Sequence, residues 1–256
     1  MLAFSYDKSF EGLLAVIFDA YTGKRFPEIL LGDEDIPPLT ATKIHHARSR
    51  EDKSTRVLEG LKKRLTTEGM NNLACAWLAD QHGTDMLLMR YIRGVFDGGR
   101  SYELEYTRQD VFAVNRLARA VHGEAHLLKG FARFQKTADK LFFSAIASRY
   151  NVLPLLGSHF AERFAEQPWV LYDTQRHYGL AHEQGEFREI FLDESLLDQG
   201  GRLDAANLAE DEQIFQTMWQ DYCAAATIRE RLNPRLHSRY LPRRFWPYMT
   251  EKQQVR

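Results

Sequence analysis

KGFARFQKTADKLFFSAIAS, residues 129–148, is where the period of the chain changes. Upstream of it, apolar residues recur every third or fourth position. Inside it, FARFQ and LFFSAIAS read as two strands around a short KTADK turn. Downstream, WVLYDT (169–174) and HYGLAHEQGEFREIFL (177–192) continue as strands, with a turn at 183–185. Between the strand pairs, NVLPLLGSHFAERFA (151–165) begins as a loop and becomes helical near Gly157. Residues 205–231 read as one long helix with Ile214, Met218, Tyr222, Ala225 and Ile228 on one stripe.

The first hundred residues read as helices. Asp7 caps a helix in which Phe10, Leu13, Leu14, Ile17, Phe18 and Tyr21 recur at helical spacing, with Pro27 beyond its end. GDEDIPPLTAT (32–42) is a loop. Helical patterns over 53–65 and 71–96 are interrupted at Glu68-Gly69 and Gly83 and stop at Asp97-Gly98-Gly99. Thr107-Arg108-Gln109-Asp110 then resembles a capping box ahead of Val111, Val114, Leu117, Ala118, Val121, Ala125 and Leu128. The expected class is α+β: a helical lobe over 1–100, then an antiparallel sheet with packed helices and a basic C-terminal strap over 101–256. The two are either separate lobes or one integrated domain. No βαβ rhythm and no internal repeat is expected.

The chain has 256 residues, 44% apolar and 27% charged, with a net charge of −1, which suits a soluble globular protein with a full core. Its apolar runs fall short of a membrane span and the start lacks a signal-peptide pattern, so no membrane and a cytoplasmic location are expected. Cys75 and Cys223 lie in helical patterns, so a disulfide scaffold is not expected, and two thiols cannot cage an iron–sulfur cluster. Acidic residues gather at 32–38, 192–198 and 208–213, whereas the stretch from Arg229 onward is cationic, so attraction for phosphate is local.

Candidate chemistry is sparse. His122 and His126 stand four apart on one helix, the spacing at which two imidazoles can reach one metal, but no third ligand is evident and no metal is expected. His159, near a helix start, is a candidate acid or base. Asp173 ends an apolar strand-like run without a second carboxylate at a diagnostic offset. Lys129, Arg133, Arg163 and Arg176 each fall at the edge of the sheet or its helix, where they form either a shared cationic face or salt bridges to Glu162, Glu166 and Asp173. No nucleophile elbow, P-loop or dinucleotide fingerprint is present.

The segment RERLNPRLHSRYLPRRFWPYM (229–249) carries six arginines and no lysine among three prolines. Arg235, Arg239, Arg243 and Arg244 can bind phosphates, and Tyr240, Phe245, Trp246 and Tyr248 can offer flat platforms to unpaired bases. Equally, Pro234, Pro242 and Pro247 can hold an extended strap whose aromatics pack on the body.

Four blocks carry a resemblance: YDKSFEGLLAVIFDAY (6–21), VHGEAHLLKGFARFQ (121–135), HFAERFAEQPWVLYDTQRHYGL (159–180) and RLNPRLHSRYLPRRFWPYMTE (231–251). Together and in this order they resemble a bacterial family of DNA metabolism and repair proteins. The resemblance implies a protein encoded beside a radical SAM protein; some relatives also carry a fused uracil-DNA glycosylase domain, and the stand-alone form is expected here. Lys8 stands where relatives often have glycine. The resemblance assigns no catalytic residues. It gives motif membership to His126, Lys129, Gly130, Arg133 and Phe134; to His159, Arg163, Trp169, Asp173 and Arg176; and to Asn233, Pro234, Arg239, Pro242, Arg243, Arg244 and Trp246. Any cluster would belong to the radical SAM partner, and no cofactor is expected in this chain. The expected function is DNA binding in DNA metabolism or repair beside that partner. Alternatives are an enzyme acting on a nucleotide or damaged base through His126, His159 and Asp173, and a scaffold that docks through the acidic LAEDEQ segment.

Overall fold

The computed structural model describes residues 1–99, 101–198 and 200–253. The chain divides into two compact units, Met1–His122 and Gly123–Arg256. The class is α+β, as expected. The division falls inside a continuous helix, past the Asp97-Gly98-Gly99 break.

The first unit is not purely helical. Strand β1 (Leu2–Tyr6) lies between β2 (Ile29–Gly32) and β3 (Lys43–His46), parallel to both. Helix α1 (Phe10–Thr22) connects β1 to β2, so a βαβ unit stands where none was expected. The strand signal was hidden because a buried parallel strand reads as an unbroken apolar run rather than an alternation. Ser9, not Asp7, caps α1: its Oγ accepts the Gly12 amide at 2.9 Å. Asp7 supports the cap from outside, accepting the Ser9 amide at 3.0 Å and the Ser9 and Ser49 hydroxyls at 2.6 Å each. Lys8, between them, has a left-handed backbone with φ 58°, which explains why glycine suits this position. Helices α2 (Glu51–Lys62), α3 (Thr67–Trp77), α4 (Thr84–Gly98) and the start of α5 (Gln109–Phe131) complete the unit. Gly83, with φ 78°, separates α3 from α4 as its sequence position implied. Leu13, Ile17, Leu61, Leu73, Leu88 and Ile92 are buried in its core. Each such side chain contributes roughly 1.5–3 kcal/mol through burial.

The second unit holds the five-stranded sheet β4-β5-β6-β7-β8, formed by Gln135–Lys136, Phe142–Ile146, Trp169–Asp173, Tyr178–Glu183 and Glu186–Ile190. The sheet is mixed rather than wholly antiparallel, because β5 and β6 run parallel and are joined by helix α6 (Leu153–Arg163). That crossover is the second βαβ unit missing from the sequence reading. Alternation then assigns the faces. Trp169, Leu180 and Phe187 share the α6 side, where Gly157 lets the helix come close to Leu180 and Phe187. Phe143, Val170 and Tyr172 face the other way, onto Leu197, Leu203 and Tyr248.

Two further expectations need correction. Helix α7 covers Glu212–Ala226 only, and Ala205–Asn207 is a separate 3-10 turn. The C-terminal segment is not an extended strap: Asn233 caps helix α8 (Pro234–Tyr240), with Pro234 in its first turn, and Arg243–Tyr248 forms a 3-10 helix. Prolines at helix starts are compatible with helix, and that is how the segment uses Pro234.

Candidate nucleic-acid interface

The second unit contains a cleft of about 640 Å³ bordered by the end of α5, the β4–β5 edge, the end of α6 and one flank of α7. The volume lies within the roughly 300–1,000 Å³ common for small-ligand sites. Its floor is aromatic. Phe134 meets Phe160 and Phe164 edge to face at centroid distances of 5.1 and 5.0 Å, and Phe160 stacks along Phe164 at 6.3 Å. Phe142, Phe215 and Trp219 also line the space. The sequence showed the cationic candidates here but not the aromatic floor; the i, i+4 pair Phe160 and Phe164 was its one local signal.

Three sequence candidates, Lys129, Arg133 and Arg163, reach this cleft. They differ in how they are neutralised. Arg133 binds Glu251 with two N–H donors at 2.7 and 3.3 Å, and its guanidinium sits 5.4 Å from the Trp219 ring, which itself donates Nε1–H to Glu251 at 3.0 Å. Lys136, a further cation in the lining, pairs with Asp211 at 2.9 Å. Buried Glu212 accepts the Lys136 amide at 3.0 Å and the Gln216 side-chain amide at 3.0 Å. Among the described residues no carboxylate lies within ion-pair distance of Lys129 or Arg163, and Arg163 lies over the Phe164 ring at 5.7 Å. An aromatic floor beside two uncommitted cations can hold a flat ring and an anionic group together.

A second charged cluster contains three more sequence candidates. Arg244 grips the buried carboxylate of Glu124 through Nε at 3.1 Å and through a shorter Nη2 contact. Glu124 also accepts the Arg149 amide at 3.0 Å. Arg176 donates to the Ser148 carbonyl at 3.2 Å and to Asp173 at 3.0 Å. Asp173 is fully buried, and burial pushes its carboxyl above the ordinary value although the Gln175 amide and Arg176 favour the charged form. Arg176 and Arg244 therefore stabilise buried carboxylates, which limits what they can offer to an outside phosphate.

The three acid–base candidates are not gathered at the cleft. His126 is exposed on α5, Asp173 is committed to Arg176, and the His159 Nε2 is buried without a hydrogen-bond partner among the described residues. None of the three lines the cleft. His122 lies with Nε2 at 3.2 Å from the Cys75 sulfur. Among the described residues no three His, Cys, Asp or Glu side chains converge as a metal site.

In the C-terminal segment Arg235, Arg239 and Arg243 are exposed, with no carboxylate partner among the described residues. Its aromatics are mostly spoken for. Phe245 is buried, Tyr248 meets the Thr174 hydroxyl at 3.0 Å, and Trp246 donates to the Leu241 carbonyl at 3.1 Å with Arg243 and Lys252 each 5.6 Å from its ring. Only Tyr240 keeps a largely open ring, 64% exposed. The aromatic side chains of this segment are thus largely packed, whereas those of the cleft line an open space.

The DUF4130 family model, a domain of unknown function, matches residues 82–251. The chain belongs to the DUF4130 family. No curated protein and no solved structure matches it. The matched segment begins at the turn into α4 and takes in every residue named above for the cleft of this DUF4130 chain, together with both the Glu124–Arg244 and Arg133–Glu251 pairs.

Proposed function

We propose that this chain is a nucleic-acid-binding protein of DNA metabolism whose cleft takes an unpaired nucleotide, the base against Phe164, Phe215 and Trp219 and the phosphate against Lys129 and Arg163. The observation that carries the reading is the aromatic floor beside two cations that the described residues leave uncommitted. Stacking is tolerant of base identity and contributes about 1–3 kcal/mol per base, and each phosphate contact adds a salt-dependent increment. In the setting implied by the sequence resemblance, a radical SAM partner brings the iron–sulfur cluster and this chain presents the nucleic acid.

Fluorescence anisotropy with single-stranded oligonucleotides tests the reading across a salt series. Lys129→Ala and Arg163→Ala should each weaken binding and reduce the log–log salt slope by about 0.7. Phe215→Ala should weaken binding and leave the slope in place. Absence of binding by the wild-type chain, both alone and with its partner, would end this reading.

A further inference from the structure

Helix α7 is amphipathic in the wrong sense for a monomer. The side turned to the body carries polar side chains beside Trp219: Glu212 accepts the Lys136 amide, Gln216 donates to Glu212, and the Gln220 side chain donates to the Thr250 carbonyl at 2.9 Å. The opposite side is apolar and open to solvent, with Ile214 62%, Met218 61% and Tyr222 63% exposed. Along the chain the exposed apolar positions continue beyond the helix at Ile228, Leu232, Leu236 and Tyr240, each about half exposed or more. Such a surface costs solvation free energy unless something covers it, and one this extensive marks an interaction site.

Charge along the ridge identifies the occupant. From 203 to 228 the chain has no lysine or arginine and carries Asp204, Glu210, Asp211, Glu212 and Asp221. From 229 to 244 it carries six arginines against Glu230 alone. Of the acids, Glu210 and Asp221 are exposed, and Asp221 sits seven residues after Ile214, within the apolar stripe. Arg235 and Arg239, four apart on α8, flank Leu236 and Tyr240. A partner of single charge sign would match one half of this ridge and be repelled by the other. A second copy matches both halves, because a two-fold axis can set the acidic half of each copy against the arginine half of the other. The exposed apolar side chains along the ridge offer an area of the order of the roughly 800 Å² per side that stable interfaces bury.

We infer that residues 210–240 form an isologous homodimer interface, with α7 of one copy packed on the 228–240 segment of its partner. The arrangement goes beyond the nucleotide reading and does not depend on it. In it, Arg235 and Arg239 face carboxylates of the second copy rather than phosphates.

Sedimentation equilibrium of the full chain should show a concentration-dependent dimer, and Met218→Asp should shift it to monomer without altering the far-ultraviolet circular dichroism. The decisive test uses charge reversal. A Glu210→Arg/Asp221→Arg variant and an Arg235→Glu/Arg239→Glu variant should each dimerise about tenfold or more weakly than wild type. An equimolar mixture of the two should recover wild-type association, since every reversed half then meets a reversed partner. Three results would each overturn the inference: a wild-type chain that stays monomeric at all concentrations, a mixture that fails to recover, or reversal of Arg235 and Arg239 that abolishes oligonucleotide binding while dimerisation is unchanged.

Discussion

Arg244 closes on Glu124 from a point 120 residues further along the chain, and the carboxylate it reaches is 5% exposed. Removing one partner of a fully buried pair costs about 3–5 kcal/mol, most of it from stranding the other charge. Here 38% of the Arg244 side chain stays in contact with solvent, and the Arg149 amide still serves Glu124. Arg244→Ala should therefore destabilise the chain by a smaller amount, about 2 kcal/mol, in urea denaturation. Because its charge is already neutralised, the same variant should leave the salt slope of oligonucleotide binding within error of wild type. Arg163→Ala should do the reverse.

Part of the acid stability should trace to Glu251. Burial alone would raise its pKa, but hydrogen bonds from Arg133, a backbone amide and Trp219 hold it below its ordinary 4.5. A carboxylate with a lowered folded-state pKa supplies stability that is fully present above 4.5 and is lost as pH falls through the folded value. Glu251→Gln should weaken the chain at neutral pH and flatten the acid limb of its stability profile below pH 4.5. Asp173 acts in the opposite sense, because burial raises it above its ordinary 3.8 and the folded state takes up its proton first. Urea midpoints of the wild type, Glu251→Gln and Asp173→Asn across the acid range would check the two signs.

Two helical glycines should respond oppositely to substitution. A Cβ on Gly157 would lie 2.8 Å from Leu180 Cδ2 and 3.2 Å from the Phe187 ring, so Gly157→Val should cost about 1–3 kcal/mol through overpacking. A Cβ on Gly123 would meet nothing within 4 Å inside the long helix α5. Gly123→Ala should raise stability by about 0.5–1 kcal/mol through helix propensity. Thermal melts of the two variants should move in opposite directions.

Lys8 should tolerate glycine better than any branched residue. Its left-handed backbone disfavours side chains, while its half-exposed ammonium pairs at 2.8 Å with Asp85, whose carboxylate is 13% exposed and also accepts the Tyr6 hydroxyl. Relief of strain and loss of a half-exposed pair are each about 1 kcal/mol, and Asp85 keeps its hydrogen bond from Tyr6, so Lys8→Gly should be close to neutral. Lys8→Ile keeps the strain, loses the ion pair and adds a β-branch, and should lower the denaturation midpoint clearly.

What the sequence disclosed follows from the range of each signal. Helices α2, α4 and α5 were legible because their periods and stops are local: Gly83 and Asp97-Gly98-Gly99 fall where the chain breaks. The strands at Phe142, Trp169 and Tyr178 were legible for the same reason. The parallel pairings of β1 with β2 and of β5 with β6 were not, because each is made through an intervening helix and buried on both faces, which removes the alternating pattern. The site was half legible. Lys129, Arg133 and Arg163 do share a cleft, and Asp173, one of the carboxylates offered as an ion partner, pairs with Arg176, yet the carboxylates that occupy Arg133 and Arg244 could be assigned only from the folded chain. The apolar stripe of α7 was visible too, but periodicity gives the existence of a face and not the direction in which it points.

Translation order gives the Glu124–Arg244 and Arg133–Glu251 pairs a further meaning. Residues 1–122 contain a complete core and can begin folding as the ribosome delivers them. Glu124 and Arg133 emerge soon afterwards and wait, one an unmatched acid and the other an unmatched base, until synthesis has passed residues 244 and 251. Over that interval the nascent second unit is exposed to chaperones, and a ribosome stalled between residues 124 and 244 would hold Glu124 without the arginine that neutralises it.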